Sequence, residues 1–312
     1  MNSPADQPAA RSAPALSRPL AYGLFGATVL VWGSNWPIMK VGLEMIPPFW
    51  FALSRVVLGC LVLFAVLAAL RRLEVPRRSD LPLVFSVGVL QVAVFLVTIN
   101  RALPAVGAGR SAILAYTTPL WVVPGALLLL RERLRPLKLA GLLLGLLGVA
   151  ILFNPAAFDW GDPTQRWGNA LLMLAALASA LAILHVRSRH WHGSPLQLAP
   201  WQLLVAIPPL LAGALILEAD WRPQPSWELG LILLYNGVLA TGFCYWGSFT
   251  VTRALPAIST SLGFLGVPMI GVASSALALG EPLSASVLGG LLAILGCLAL
   301  VNLSDLGPRR RS

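Results

Sequence analysis

Apolar residues fill this chain in long runs that are interrupted at near-regular intervals. Ten runs, roughly 20–39, 48–70, 81–100, 109–130, 137–153, 169–186, 197–217, 228–250, 257–279 and 284–302, are each bounded by charge, proline or a polar cluster. A bilayer core takes about 20 apolar residues per helix, and a helix pairs all of its backbone groups within the segment. The alternating pattern of an outer-membrane barrel strand is absent. The runs therefore predict an all-α membrane protein with ten transmembrane helices.

Charge adds the orientation. Only 11% of the 312 residues are charged against 57% hydrophobic, with a net charge of +10 and a mean hydropathy of +0.80. The basic residues sit between the apolar runs, so they report topology rather than nucleic-acid binding. If the loops alternate sides from a cytoplasmic N-terminus, only Lys40, Arg101, Arg110, Arg166 and Arg222 of the 22 Lys and Arg fall outside, and Arg55 lies within the second helix. Both termini are thus expected on the cytoplasmic side of a bacterial inner membrane. Residues 1–19, rich in Pro, Ala and Ser, read as a disordered cytoplasmic tail with no cleavable signal. Residues 304–312 read as a basic cytoplasmic tail. Cys60, Cys244 and Cys297 are isolated in apolar stretches and read as packing residues.

An internal repeat carries more information. The pentapeptide Arg-Ala-Leu-Pro-Ala occurs at 101–105 and again at 253–257. Pro119 precedes Glu132 by the same 13 residues that separate Pro268 from Glu281, and a glycine, Gly141 or Gly290, follows each Glu at the ninth position. Residues 20–153 and 169–303 thus read as two five-helix repeats. Because five is odd, the second repeat enters the membrane from the opposite face, a 5+5 inverted topology around a central cavity. Pro119 and Pro268 each remove a helix hydrogen bond and are candidate hinges. Gly141, Gly145 and Gly148, like Gly289, Gly290 and Gly296, suit close helix packing.

These motifs resemble the EamA family of the drug/metabolite transporter superfamily. The resemblance rests on Trp32-Gly33-Ser34-Asn35-Trp36, Arg55, Thr118-Pro119-Leu120, Glu132-Arg133-Leu134, Gly141 and Gly148. In the second half it rests on Val267-Pro268, Leu279-Gly280-Glu281-Pro282-Leu283, Gly289-Gly290 and Gly296. It implies two five-helix repeats around a cavity and export of metabolites or amino acids. Residues 169–190 depart from it, having no counterpart of the Trp-Gly-Ser-Asn stretch.

Polar groups inside a bilayer usually face the bundle interior. At helical spacing Trp32, Asn35, Trp36 and Met39 share one face of the first helix, Gln91, Phe95 and Thr98 one face of the third, and Tyr235, Gly242 and Trp246 one face of the eighth. Asn35, Trp36, Gln91, Thr98, Tyr116, Tyr235, Tyr245 and Trp246 are the candidate substrate-binding residues; helix packing is the alternative for each aromatic. Arg55 either attracts a substrate carboxylate, snorkels to the surface or pairs with Glu44.

The missing features also constrain function. There is no Gly-x-x-x-x-Gly-Lys-Ser/Thr loop and no mid-membrane carboxylate, and His185 is the one embedded group with a near-neutral pKa. Facilitated diffusion or exchange is therefore expected over tight proton coupling. No catalytic residue, metal or cofactor is expected; His190 and His192 flank Trp191 without a carboxylate partner in sequence. The expected partners are a small-molecule solute (an amino acid or metabolite), the lipid bilayer and, as an oligomer, a homodimer, with no nucleic acid. A non-transporting accessory subunit and a lipid-modifying membrane enzyme are the competing readings.

Overall fold

The computed structural model describes residues 17–130, 135–153, 161–188, 191–255, 260 and 263–306. The tails at 1–16 and 307–312, Glu132 with its turn, His190 and residues 256–257 of the second pentapeptide lie outside them. All described secondary structure is helical. In chain order the helices are α1 (Arg18–Gly42), α2 (Pro48–Ala69), α3 (Arg78–Val106), α4 (Ala108–Leu129) and α5 (Pro136–Leu152). Then follow α6 (Pro163–Ser188), α7 (Pro195–Leu217), α8 (Trp227–Thr252), α9 (Gly266–Leu279) and α10 (Ala285–Leu306).

Among the described residues seven helices, α2, α3, α4, α6, α7, α8 and α10, are long and apolar enough to cross a membrane, and α5 and α9 are shorter apolar helices. In α1, Ser34, Asn35, Pro37 and two tryptophans dilute an otherwise apolar 25-residue helix. The outer surface is equally informative. Leu128, Ile216, Leu277 and Leu292 are 79%, 76%, 88% and 69% exposed, an apolar coat that lipid solvates and water does not.

The helices pack in matched pairs. α5 lies along α10, and α2 along α7. α2 also packs on α8 as α7 packs on α3; α1 packs on α8 and α9 as α6 packs on α3 and α4. The α5–α10 seam is close because Gly141, Gly145 and Gly148 face Val301, Cys297 and Ala293.

Two helices are interrupted and two are widened. α4 breaks into a turn at Tyr116–Thr118 immediately before Pro119, and α9 is preceded by a turn at Phe264 and Leu265, ahead of Pro268. Pro119 cannot donate to Ala115, and the Thr118 hydroxyl donates to that carbonyl instead at 3.2 Å, while Thr117 donates to Leu114 at 2.7 Å. α3 and α8 each contain a π-helical stretch with i→i+5 spacing, Val87–Val94 and Tyr235–Phe243.

Helix starts leave N–H groups that lipid cannot satisfy. At α2 and α4 they are met by carboxylates from distant parts of the chain, whereas α6, α7, α8 and α10 use a local side chain, Asp162, Ser194, Ser226 or Ser284. Glu218, after α7, accepts from the Phe49 and Trp50 amides at the start of α2 at 3.0–3.2 Å. Asp80, 1% exposed in the first turn of α3, accepts from His192 and Gly193 just before α7, both at 3.0 Å. Glu281, after α9, accepts from the Ala108 and Gly109 amides at the start of α4 and from Lys40 at the end of α1, all at 2.8 Å. Gly107 makes this last turn at φ +89°, where a side chain would be strained.

Burial opposes ionisation of Glu281, but Lys40 and the two amides outweigh it and hold the carboxyl below its ordinary value of 4.5. A depressed folded-state pKa contributes stability that is complete above 4.5 and lost as pH falls through the lower folded value. The thermal midpoint of the detergent-solubilised protein should therefore fall more steeply below about pH 4.5 than that of Glu281→Gln; parallel profiles would show that the clasp contributes nothing. A second measurement tests the α3–α7 seam. A Cβ on Gly88 would lie 2.5 Å from the Gln202 carbonyl oxygen, whereas one on Gly230 meets nothing within 4 Å. Gly88→Ala should destabilise by about 1–3 kcal/mol, and Gly230→Ala should stabilise by about 0.5–1 kcal/mol.

Candidate functional site

The densest buried polar cluster joins α1, α2 and α8, and it forms because α8 is widened there. With i→i+5 spacing, carbonyls in Tyr235–Phe243 look for donors outside the regular ladder. Thr241 Oγ1 donates to the Asn236 carbonyl at 2.8 Å, and Trp32 Nε1 of α1 donates to the Ala240 carbonyl at 2.8 Å. The Tyr235 hydroxyl donates to the Val31 carbonyl at 3.0 Å and lies 2.8 Å from the Ser34 hydroxyl. α1 is thus pinned to the π stretch of α8 at successive turns.

Arg55 enters the cluster from α2. Seven residues into its helix, about 10 Å at 1.5 Å per residue, it is buried, with Nε donating to Thr241 Oγ1 at 2.9 Å and Nη1 to Met39 Sδ at 3.1 Å. It does not snorkel, and the exposed Glu44 does not pair with it. Placing an arginine at this depth costs about 3 kcal/mol on insertion scales, and a thioether sulfur is a weak acceptor. Two further groups are under-used. Asn35 and Asn236, 5% and 0% exposed, each have a side-chain oxygen with no hydrogen-bond partner. An orphaned buried oxygen costs about 1–3 kcal/mol.

The remaining sequence candidates make no hydrogen bond within this cluster, although Tyr245 lies close to Arg55. Gln91 is half-buried in the π stretch of α3, and Thr98 turns its hydroxyl back onto the Val94 and Phe95 carbonyls at 2.7 and 3.1 Å. Trp36 is buried where α1 meets α4 and α9, next to Ala112 and Gly271. Tyr116 occupies the break in α4, and Tyr245 and Trp246 pack on the apolar cluster of α2, α3 and α7. Tyr235 and Trp246 therefore face different neighbours although a regular helix would align them. Pro119 and Pro268 both sit at the interruptions already described.

A half-open cavity of about 410 Å³ lies at the end of the bundle that holds the Glu281 clasp. Its polar lining is Lys40, Arg110, Gln165, Asn169, Glu281 and Ser284, and none of the sequence-derived site residues reaches it. Arg110 donates to Asn169 Oδ1 at 3.1 Å and to the Leu152 carbonyl at 2.6 Å. Among the described residues no group of three or more His, Cys, Asp or Glu is placed to hold a metal ion.

Sequence reasoning passed over Asn236 and Thr241. Both are polar residues inside an apolar run, which was a usable signal, but a 3.6-residue period places them off the expected face. Nothing local in the sequence links Lys40 to Glu281, or Glu218 and Asp80 to the amides that they hold.

Comparison with known proteins agrees with this architecture. The sequence matches the EamA-like transporter family over residues 20–154 and again over 166–303. It is 29% identical over 296 residues to a probable amino-acid metabolite efflux pump of Salmonella typhimurium, covering 90% of this chain and 94% of that one. It is 27% identical over 276 residues to an uncharacterized transporter of Bacillus subtilis, covering 87% and 92%. Against a probable terminal-alkyne amino-acid exporter of Streptantibioticus cattleyicolor it is 28% identical over 293 residues, covering 91% and 94%. A protein of known crystal structure shares its fold over 94% of this chain and 100% of its own, with a TM-score of 0.61 at 21% identity. With one family match in each half, and an apolar helical bundle to carry them, the chain belongs to the EamA-like transporter family and is a membrane transporter.

Proposed function

We propose that this protein is a secondary transporter of the bacterial inner membrane that exports amino acids or small metabolites by alternating access. The observation that carries the reading is the pairing of contacts across the bundle, in which α1 on α8 and α9 is answered by α6 on α3 and α4. Exchanging residues 20–153 with 169–303 reproduces that pattern, as expected of ten helices in a 5+5 inverted repeat. Interrupted α4 and α9, and widened α3 and α8, fall in the same exchangeable pairs.

In this reading α1, α2, α3, α4 and α8 surround the transport path. Asn35, Trp36, Gln91, Thr98, Tyr116, Tyr235, Tyr245, Trp246 and Arg55 line it, and the breaks at Pro119 and Pro268 act as hinges. The Glu281 clasp then closes the periplasmic end, and both termini are cytoplasmic. The names of the Salmonella typhimurium and Streptantibioticus cattleyicolor relatives favour an amino-acid-like solute.

Two measurements test this. Labelled L-amino acids should show saturable counterflow in liposomes containing the purified protein, and an Asn35→Ala, Tyr235→Phe double variant should lose most of it. No flux of any solute by folded, inserted protein would favour an accessory subunit instead. For topology, the three native cysteines are buried and give little background. A membrane-impermeant maleimide should label Gln224→Cys in intact spheroplasts and Arg77→Cys only after permeabilisation; the reverse would invert the orientation.

A further inference from the structure

Arg55 has more donor capacity than the protein uses. Its guanidinium carries five N–H groups, and the described residues engage Nε, with the Thr241 hydroxyl, and Nη1, with the Met39 sulfur. Among the described residues no carboxylate pairs with it and no acceptor takes a hydrogen bond from Nη2, although the Tyr245 hydroxyl and Cys244 thiol lie close by. Buried cations in a membrane protein are ordinarily paired, and an unpaired one marks a ligand path.

The acceptors nearby are equally unfinished. Thr241 links Arg55 to Asn236 through two hydrogen bonds, 2.9 and 2.8 Å long. Asn236 uses its amide nitrogen on the Ile232 carbonyl at 3.0 Å, and its side-chain oxygen has no partner. On α1, Asn35 lies one helical turn before Met39, the other Arg55 partner, and its side-chain oxygen is also unpartnered. Arg55 is thus bonded into one cluster with Met39, Thr241 and the Asn236 backbone, and two buried side-chain oxygens, on α1 and α8, lack a donor there. That is the complement of one small molecule carrying both an anion and a cationic donor.

We propose that Arg55 receives the solute's carboxylate through its free Nη donors, and that the Asn35 and Asn236 side-chain oxygens accept from its ammonium group. The ligand class is a free α-amino acid zwitterion. Decarboxylated amines and carboxyl esters lack the group that satisfies Arg55, so the site discriminates against them. The inference rests on the transport reading above and adds a recognition rule to it.

The test uses the full chain in liposomes and a panel of the twenty labelled L-amino acids. For each one transported, its methyl ester and its decarboxylated amine serve as competitors. In the wild-type protein neither should compete at concentrations where the parent amino acid does. Arg55→Gln should raise the KM for the amino acid about ten- to a hundredfold, the effect of losing a charge-assisted hydrogen bond, and should abolish acid-over-ester discrimination. Arg55→Lys should keep part of that discrimination. Competition by ester and amine equal to that of the parent, or an unchanged KM in Arg55→Gln, would overturn the assignment while leaving transport intact. If Arg55→Gln fails to fold, the wild-type competition series decides alone. Absence of flux for all twenty amino acids would overturn both this inference and the amino-acid reading beneath it.

Discussion

Helix starts and helix breaks leave backbone polar groups that the helix ladder does not pair and that lipid cannot satisfy, and the architecture of this protein is governed by how those groups are met. The chain meets some of them locally, with Asp162, Ser194, Ser226 and Ser284 at the starts of α6, α7, α8 and α10, and others only across its two halves. The start of α2 depends on Glu218, 168 residues away, and the start of α4 on Glu281, 173 residues away. The amides preceding α7 depend on Asp80. Each carboxylate lies in one half of the sequence and serves the other. The two halves are therefore not packed blocks with separate integrity. They complete one another's helices at both ends of the bundle.

The same constraint explains the middle of the bundle. A π stretch in α8 would be costly if its displaced carbonyls faced hydrocarbon. Trp32 and Thr241 supply the donors, so the widening is stable only where α1 crosses. Pro119 would likewise strand the Ala115 carbonyl, and the two threonines before it supply hydroxyls. The irregular backbone and the polar side chains are one feature. Removing either would leave the other buried without partners.

This division also explains what the sequence disclosed. Apolar runs are local signals, and they fall on all ten helices, within four residues at most ends, although α3 runs on to Val106, α6 begins at Pro163 and α9 at Gly266. The repeat was legible because Arg-Ala-Leu-Pro-Ala and the Pro-to-Glu spacing survive as literal matches. The site was only partly legible. Asn35, Arg55 and Tyr235 stand out as polar or aromatic residues in apolar runs, and the structure gathers them around α1, α2 and α8. Trp246 was aligned with Tyr235 by a regular helical period, and the i→i+5 stretch between them breaks that period. Asn236 and Thr241 were lost for the same reason. Glu281 was legible as a repeat marker but not as the cap of α4, because a hydrogen bond between residues 173 apart leaves no trace in a periodicity.

The distribution of polar contacts also constrains how such a bundle can move. At the ends, Glu281 and Lys40 are partly exposed, with 20% and 26% of their side chains accessible. Opening there exchanges a carboxylate for water on the same amides, so the net cost is small. In the centre, separating Trp32 from Ala240 or Arg55 from Thr241 strands buried donors and acceptors unless something polar enters at the same moment. The ends can therefore open on water alone, whereas the centre can rearrange only with a solute or solvent that takes up those hydrogen bonds. A bundle so arranged has loose gates around a tight, polar waist. In the alternating-access cycle proposed above, such a waist would change state when it is occupied, which is the coupling of solute to motion that an exchanger requires.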